Sequence, residues 1–163
     1  MTSKPLVTQE TKITKKDLMK VFWRSIPMEF TWNYERQMHL GYCYALLPVL
    51  KKLYKEEDLS DAMVRHMEFY NTTPFIITLP LGISAAMEEL NAKNPETFDK
   101  TSVSTVKTAL MGPLAGIGDS FFWGTFRVIA CGIGAPLAAA GNLLGVVLYL
   151  LLNLIPSTLT YLP

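Results

Sequence analysis

Polar and apolar positions are interleaved at helical spacing through the first two-thirds of this 163-residue chain, and then the charges stop. The first 107 residues carry 27 of the 29 formal charges, and only Asp119 and Arg127 follow. An apolar stretch of that length exceeds the roughly 20 residues with which a helix crosses hydrocarbon. Strand-type alternation is nowhere sustained. The pattern predicts an all-α integral membrane protein: an amphipathic interfacial helix first, then broken or re-entrant segments, then Gly-rich transmembrane helices.

Residues 1–12 read as a polar N-terminal tail, residues 13–107 as an amphipathic and interfacial helical region, and residues 108–163 as the transmembrane region. A first helix is predicted to start at Thr14, where Thr14-Lys15-Lys16-Asp17 resembles a capping box with Asp in place of Glu. Lys12, Lys16, Lys20 and Arg24 share one face of it, and Leu18, Val21, Phe22 and Ile26 the other. With Trp23 alongside, the segment suits the membrane interface, while packing on a protein core is the alternative. A second helix is predicted over residues 34–54, kinked at Pro48. After the solvated charge run at residues 51–58, a third helix capped by Asp58 or Ser60 is expected to reach Phe69 or Tyr70.

Residues 74–87 are apolar but contain Pro80 and Gly82. They are too short to span, so a buried or re-entrant segment is predicted. Asn94-Pro95 marks a loop. In the apolar third, Gly112…Gly116 and Gly141…Gly145 have the GxxxG spacing that permits close helix approach. Residues 143–154 are continuous enough to lie in lipid, and Pro156 is expected to end or kink that helix.

Composition narrows the function classes. A net charge of +1 gives no basic stripe for nucleic acid. Cys43 and Cys131 lie in apolar surroundings and read as buried free thiols. The first 16 residues lack the apolar core and cleavage site of a signal peptide, so the N-terminus is expected to stay cytoplasmic. No phosphate loop, HExxH, CxxC or GxSxG occurs, and Gly116-Ile117-Gly118 lacks a third glycine at position 121. His39 and His66 have no metal-ligand neighbours, so no metal, cofactor or catalytic residue is expected.

Three polar clusters remain. Residues 31–37 set Trp32, Asn33, Glu35 and Arg36 together, a combination suited to stacking a sugar ring and bonding its hydroxyls, or simply to a surface ion pair. Residues 70–74, including Asn71, serve either as a polar site or as a helix end and turn. Residues 116–127 hold Asp119, Trp123 and Arg127 in an apolar, glycine-broken stretch, where a charge is costly without compensation. An Asp119–Arg127 pair and a polar lining of a transport path are the two readings.

These residues also carry a family resemblance. Asn33-Tyr34-Glu35-Arg36, Gly41-Tyr42-Cys43-Tyr44-Ala45, the run Phe69-Tyr70-Asn71-Thr72-Thr73-Pro74, and Met111 through Ser120 with its Gly-Ile-Gly-Asp core resemble the IID component of mannose-type sugar phosphotransferase systems. Phe122-Trp123-Gly124-Thr125 and Gly141-Asn142 continue the likeness. The resemblance implies a multi-pass subunit of a bacterial cytoplasmic membrane. It pairs with a IIC subunit, as trimers of IIC–IID pairs, to bind and move mannose, glucose or related hexoses. Phosphate comes through IIA and IIB phosphocarrier proteins, so this chain carries no phosphohistidine. Some family members are docking targets for antibacterial peptides. The sugar-contact residues expected on this basis are Asn33, Glu35, Arg36, Asn71, Asp119 and Trp123, with Trp32 as another stacking face. The alternative is a membrane scaffold or docking module without sugar contact. Family members are usually longer, so the likeness is to their N-terminal portion.

Overall fold

The computed structural model describes residues 12–160, with side chains described to Leu154. Most of the predicted tail at residues 1–12 therefore lies outside the described residues. Helix α1, Lys15–Ser25, begins where the capping box places it. Asp17 N–H donates to Thr14 Oγ1 at 3.4 Å, and Thr14 N–H donates to Asp17 Oδ2 at 3.0 Å. Lys52 Nζ reaches the same carboxylate at 2.9 Å, tying α1 to α2. The Thr14 hydroxyl and then Lys52 hold the Asp17 carboxyl well below the usual carboxylate range.

Helix α2, His39–Leu53, is the centre of the N-terminal bundle. Tyr42, Ala45, Leu46, Val49, Leu50 and Leu53 recur at helical spacing and are fully buried. They meet Val21 of α1, Met28 of the 3₁₀ turn Ile26–Thr31, Ala62 of α3 and Leu81 and Ala85 of α4. The helix passes through Pro48 and starts later than predicted. Residues 33–37 instead form a tight turn in which Asn33 and Gln37 exchange backbone hydrogen bonds at 3.2 and 2.9 Å, with Gln37 at φ +58°. Helix α3, Glu56–His66, begins before Asp58 and Ser60. Its first turn holds Glu56, Glu57 and Asp58, where acids are favoured by the exposed N–H groups.

The 74–87 segment is interrupted at its start, by the 3₁₀ turn Pro74–Ile76, and not at Pro80 or Gly82. Helix α4, Thr78–Lys93, runs through both. Pro80 stands in the first turn, where its missing N–H has no intrahelical acceptor to lose.

A buried polar knot locks α2, α3 and α4. Glu88 of α4 is fully buried. It receives Arg65 Nε and Nη2 at 3.0 Å each, His66 Nε2 at 2.9 Å and the Tyr54 hydroxyl at 2.7 Å. Asn91 Nδ2 donates to the Tyr54 hydroxyl at 2.7 Å. Burial alone raises the Glu88 carboxyl, but its bonds from His66 and Arg65 outweigh that and bring it down to about 2. Burial pushes the His66 imidazole below its ordinary value, and its Nδ1 has no partner among the described residues. His66 is therefore a neutral ring donating from Nε2, and Arg65 is the cation. Lys107 of α5, also buried, donates to the Arg65 carbonyl at 3.0 Å and so caps the end of α3.

Helix α5 (Thr101–Gly118), a π-helical segment (Asp119–Phe126) and α6 (Arg127–Ala139) form one continuous apolar rod of 39 residues. It is long and apolar enough to cross a membrane. At 1.5 Å per residue the rod is about 58 Å long, well beyond a hydrocarbon core of about 30 Å. Helix α7, Leu144–Thr160, folds back along α6 and continues through Pro156. Gly141, at φ +77°, closes the turn, with its N–H on Ala138 and the Asn142 N–H on Leu137. Of the Gly141…Gly145 pair only Gly145 packs: its backbone meets Gly134 so closely that a Cβ would lie 2.4 Å from the Gly134 oxygen. Gly112 and Gly116 face open space. Ile117, Phe121, Val128, Ile129 and Leu150 are exposed along the rod and hairpin. Cys43 is buried, but Cys131 of α6 is exposed, against the expectation that both thiols are buried.

Candidate polar site at the joint between bundle and rod

One extended segment, residues 70–75, joins the three polar clusters that are separate in the sequence. At its start it pairs with the first cluster: Met38 N–H donates to the Tyr70 carbonyl at 2.8 Å, and Tyr70 N–H to the Arg36 carbonyl at 3.4 Å. Next, Asn71 N–H donates to the Met111 sulfur of α5, at 3.1 Å. Thr73 Oγ1 then donates to Asp119 Oδ1 at 2.6 Å and lies 3.3 Å from the Ala115 carbonyl. Finally Phe75 packs on Phe122 and Trp123, with centroids 4.4 and 5.7 Å apart. The contact at Thr73 requires Gly118, whose added Cβ would sit 2.3 Å from the Thr73 hydroxyl oxygen.

Asn33 builds the first cluster. Its Oδ1 accepts from the N–H groups of Glu35 and Arg36 at 3.1 and 3.0 Å, and its Nδ2 lies 3.4 Å from His39 Nδ1. Glu35 is 82% exposed and lies 3.5 Å from Arg36, which also reaches the Met67 carbonyl at 3.4 Å. Trp32 meets Tyr34 edge-on at 4.9 Å. Asn33, Arg36 and Asn71 are thus brought to one stretch of backbone, with Asp119 and Trp123 at its other end. The Glu35 carboxylate projects away into the open.

Arg127 does not pair with Asp119. Its guanidinium lies 4.0 Å over the Trp123 ring, and the Asp119 carboxylate takes the Thr73 hydroxyl instead. The π-helical turn sets this arrangement, with Arg127 N–H bonded five residues back to Phe122. Two further side chains carry unspent hydrogen-bonding capacity. The Tyr70 hydroxyl and Thr72 Oγ1 are buried and without a partner among the described residues. Hydroxyls, amides, a carboxylate and an aromatic face are the groups that recognise a polyol. Among the described residues no group of three His, Cys, Asp or Glu side chains could hold a metal ion.

Two cavities are lined by none of the predicted contact residues. An apolar groove of about 610 Å³ lies between α1 and α4, and a polar cleft of about 400 Å³ lies between α3 and the start of α5. The Glu88 knot was missed by sequence reasoning, although a signal existed. Leu81, Ala85, Glu88 and Ala92 follow one another at helical spacing, so the acid falls on the buried stripe of α4.

Residues 12–162 match the family of PTS system mannose/fructose/sorbose IID components. The chain is 41% identical over 157 residues to the PTS system mannose-specific EIID component of Escherichia coli (strain K12), covering 94% of this chain and 55% of that protein. It is also 41% identical to the fructose permease IID component of Bacillus subtilis (strain 168), over 94% of this chain and 56% of that one. Its fold matches a chain in the cryo-EM structure of the mannose transporter ManYZ in complex with Microcin E492. The TM-score is 0.83 at 41% identity, covering 93% of this chain and 56% of that chain. The chain spans about half the length of the curated relatives it matches.

Proposed function

The chain belongs to the mannose/fructose/sorbose family of phosphotransferase-system IID components, and from that premise we propose that it binds and translocates a mannose- or glucose-type hexose together with a IIC subunit. A IIB phosphocarrier, itself charged by IIA, phosphorylates the sugar. The observation that carries this reading is the segment at residues 70–75, which links Arg36, Asn71, Asp119 and Trp123 and leaves the Tyr70 and Thr72 hydroxyls without a partner among the described residues. Asn71 and Asp119 are the contacts to sugar hydroxyls, Trp123 is the stacking face, and Asn33 shapes the turn that presents Glu35 and Arg36 to sugar or to IIC. The exposed apolar flank of the rod is the surface for IIC and for assembly into trimers of pairs.

The test is calorimetric titration of mannose and glucose into the full-length protein co-purified with its IIC subunit. Saturable binding that needs both chains and weakens in Asn71→Ala and Glu35→Gln is expected. Unchanged affinity in both variants overturns the assignment. A second reading, docking of an antibacterial peptide, is supported by the Microcin E492 complex of the solved relative and by the apolar surfaces left open on α5, α6 and α7.

A further inference from the structure

The groove between α1 and α4 belongs to neither reading. Leu18, Met19 and Phe22 of α1 form one wall, and Leu81 and Gly82 of α4 the other. Nothing lies within 4 Å of where a Gly82 Cβ would stand, so that wall is recessed. From Lys15 to Phe22 the groove runs for about 10 Å, two turns of helix. Its floor is closed by Val21, and the buried core of α2 lies beneath.

The two ends differ. The Ile13 N–H bonds Glu89 Oε2 at 3.0 Å, which sets the start of α1 beside the far half of α4 and makes the two helices antiparallel. Lys15 therefore stands at one end of the groove and Thr78 at the other. At the Lys15 end Lys16 follows in α1 and Lys12 lies beside Glu89, whose own partner is Lys93. The acids there are already engaged: Glu89 by Lys93 and Ile13, Asp17 by Thr14 and Lys52. No acid pairs with Lys15 among the described residues, and no acid lines the groove. The result is an apolar slot with a cationic mouth.

We propose that this groove seats one acyl chain of an anionic phospholipid from the bilayer, with the lipid phosphate at Lys15. The occupant is amphiphilic because the walls are: a neutral lipid leaves the lysine cluster unmet, and a soluble anion leaves the apolar slot unfilled. A cationic mouth beside an amphipathic helix is also the arrangement that anionic leaflets attract.

Native mass spectrometry tests this on the full-length protein with its membrane partner. The probes are phosphatidylglycerol and phosphatidylcholine with identical chains. Phosphatidylglycerol is expected to be retained about fivefold more, the effect of one lysine at a headgroup, and Lys15→Gln is expected to abolish that preference. Gly82→Leu fills the slot and is expected to lower retained lipid about tenfold, the worth of roughly two displaced methylene groups, while the protein still co-elutes with its partner. A Gly82→Leu protein that keeps its full complement of lipid overturns the proposal. A photo-crosslinking Met19→p-benzoyl-phenylalanine variant leaves Gly82 and Lys15 untouched. Its adduct is expected on lipid, and an adduct on a protein chain overturns the proposal in favour of a helix seated there.

Discussion

Thr73 and Asp119 meet at 2.6 Å across a helix surface that only glycine can present, since Gly118 stands directly under the contact. Together with the packing of Phe75 on Phe122 and Trp123, this bond joins the N-terminal bundle to the middle of the apolar rod. Gly118→Ala drives a methyl group into Thr73 and is expected to destabilise the protein by about 1–3 kcal/mol. The control is Gly112→Ala, at a site open within this chain. Thermal melts of the two variants read the difference. A Gly118→Ala midpoint equal to the parent's removes the importance assigned to the contact.

Asp119→Asn retains the shape of the latch, because an amide oxygen still accepts from Thr73, but removes the negative charge. Sugar affinity is expected to fall about tenfold, the cost of one lost charge-assisted hydrogen bond, with little change in melting temperature. Equal affinity in isothermal titration assigns Asp119 to structure alone.

Glu88→Gln leaves Arg65 buried against a neutral amide. Breaking one side of a buried pair costs about 3–5 kcal/mol. The full-length variant is expected to melt far below the parent, and a partial rescue by adding Arg65→Met reads the pair as a unit.

Acid is expected to loosen the same knot in two stages. His66 has a folded value below its ordinary 6.5, so it binds its proton more readily when unfolded, and stability falls as the pH drops through 6.5. Glu88, at about 2 against an ordinary 4.5, extends the loss from pH 4.5 downward. Melting temperatures at pH 7.5 and 5.5 measure the first stage. His66→Gln, which keeps a donor and cannot titrate, is expected to shrink that difference, and an unchanged difference places the titrating group elsewhere.

Thr14→Ala removes the capping box and is expected to cost about 1 kcal/mol. The start of α1 is where that loss appears, as faster amide exchange near Asp17.

The start of α1 was legible because a capping box is a local signal, written in four adjacent residues. The membrane rod was legible from the missing charges. The late start of α2 was not, because the Asn33 turn is held from outside by the Tyr70 backbone, a partner more than thirty positions away. Pro80 misleads for a related reason: proline breaks a helix interior and suits its first turn, and only the position of the 3₁₀ turn at Pro74–Ile76 decides which applies. In the candidate site, the residue types were visible as three clusters, while their joining through residues 70–75 depends on tertiary contacts. Asp119 and Arg127 lie eight positions apart and invited pairing. The π-helical turn between them rotates Arg127 onto Trp123 instead.

That same π-helical stretch makes the rod a lever with a gearbox in it. Eighteen residues precede it and thirteen follow. A π turn stores one extra residue, and relaxing it to α geometry turns the far arm by about 100° and slides it about 1.5 Å. The near arm is pinned to the bundle by Lys107 and by the Thr73–Asp119 bond. A rotation of that size re-aims Arg127, α6 and the hairpin behind it while the bundle stands still, and it costs the exchange of a few backbone hydrogen bonds, with no domain pulled apart.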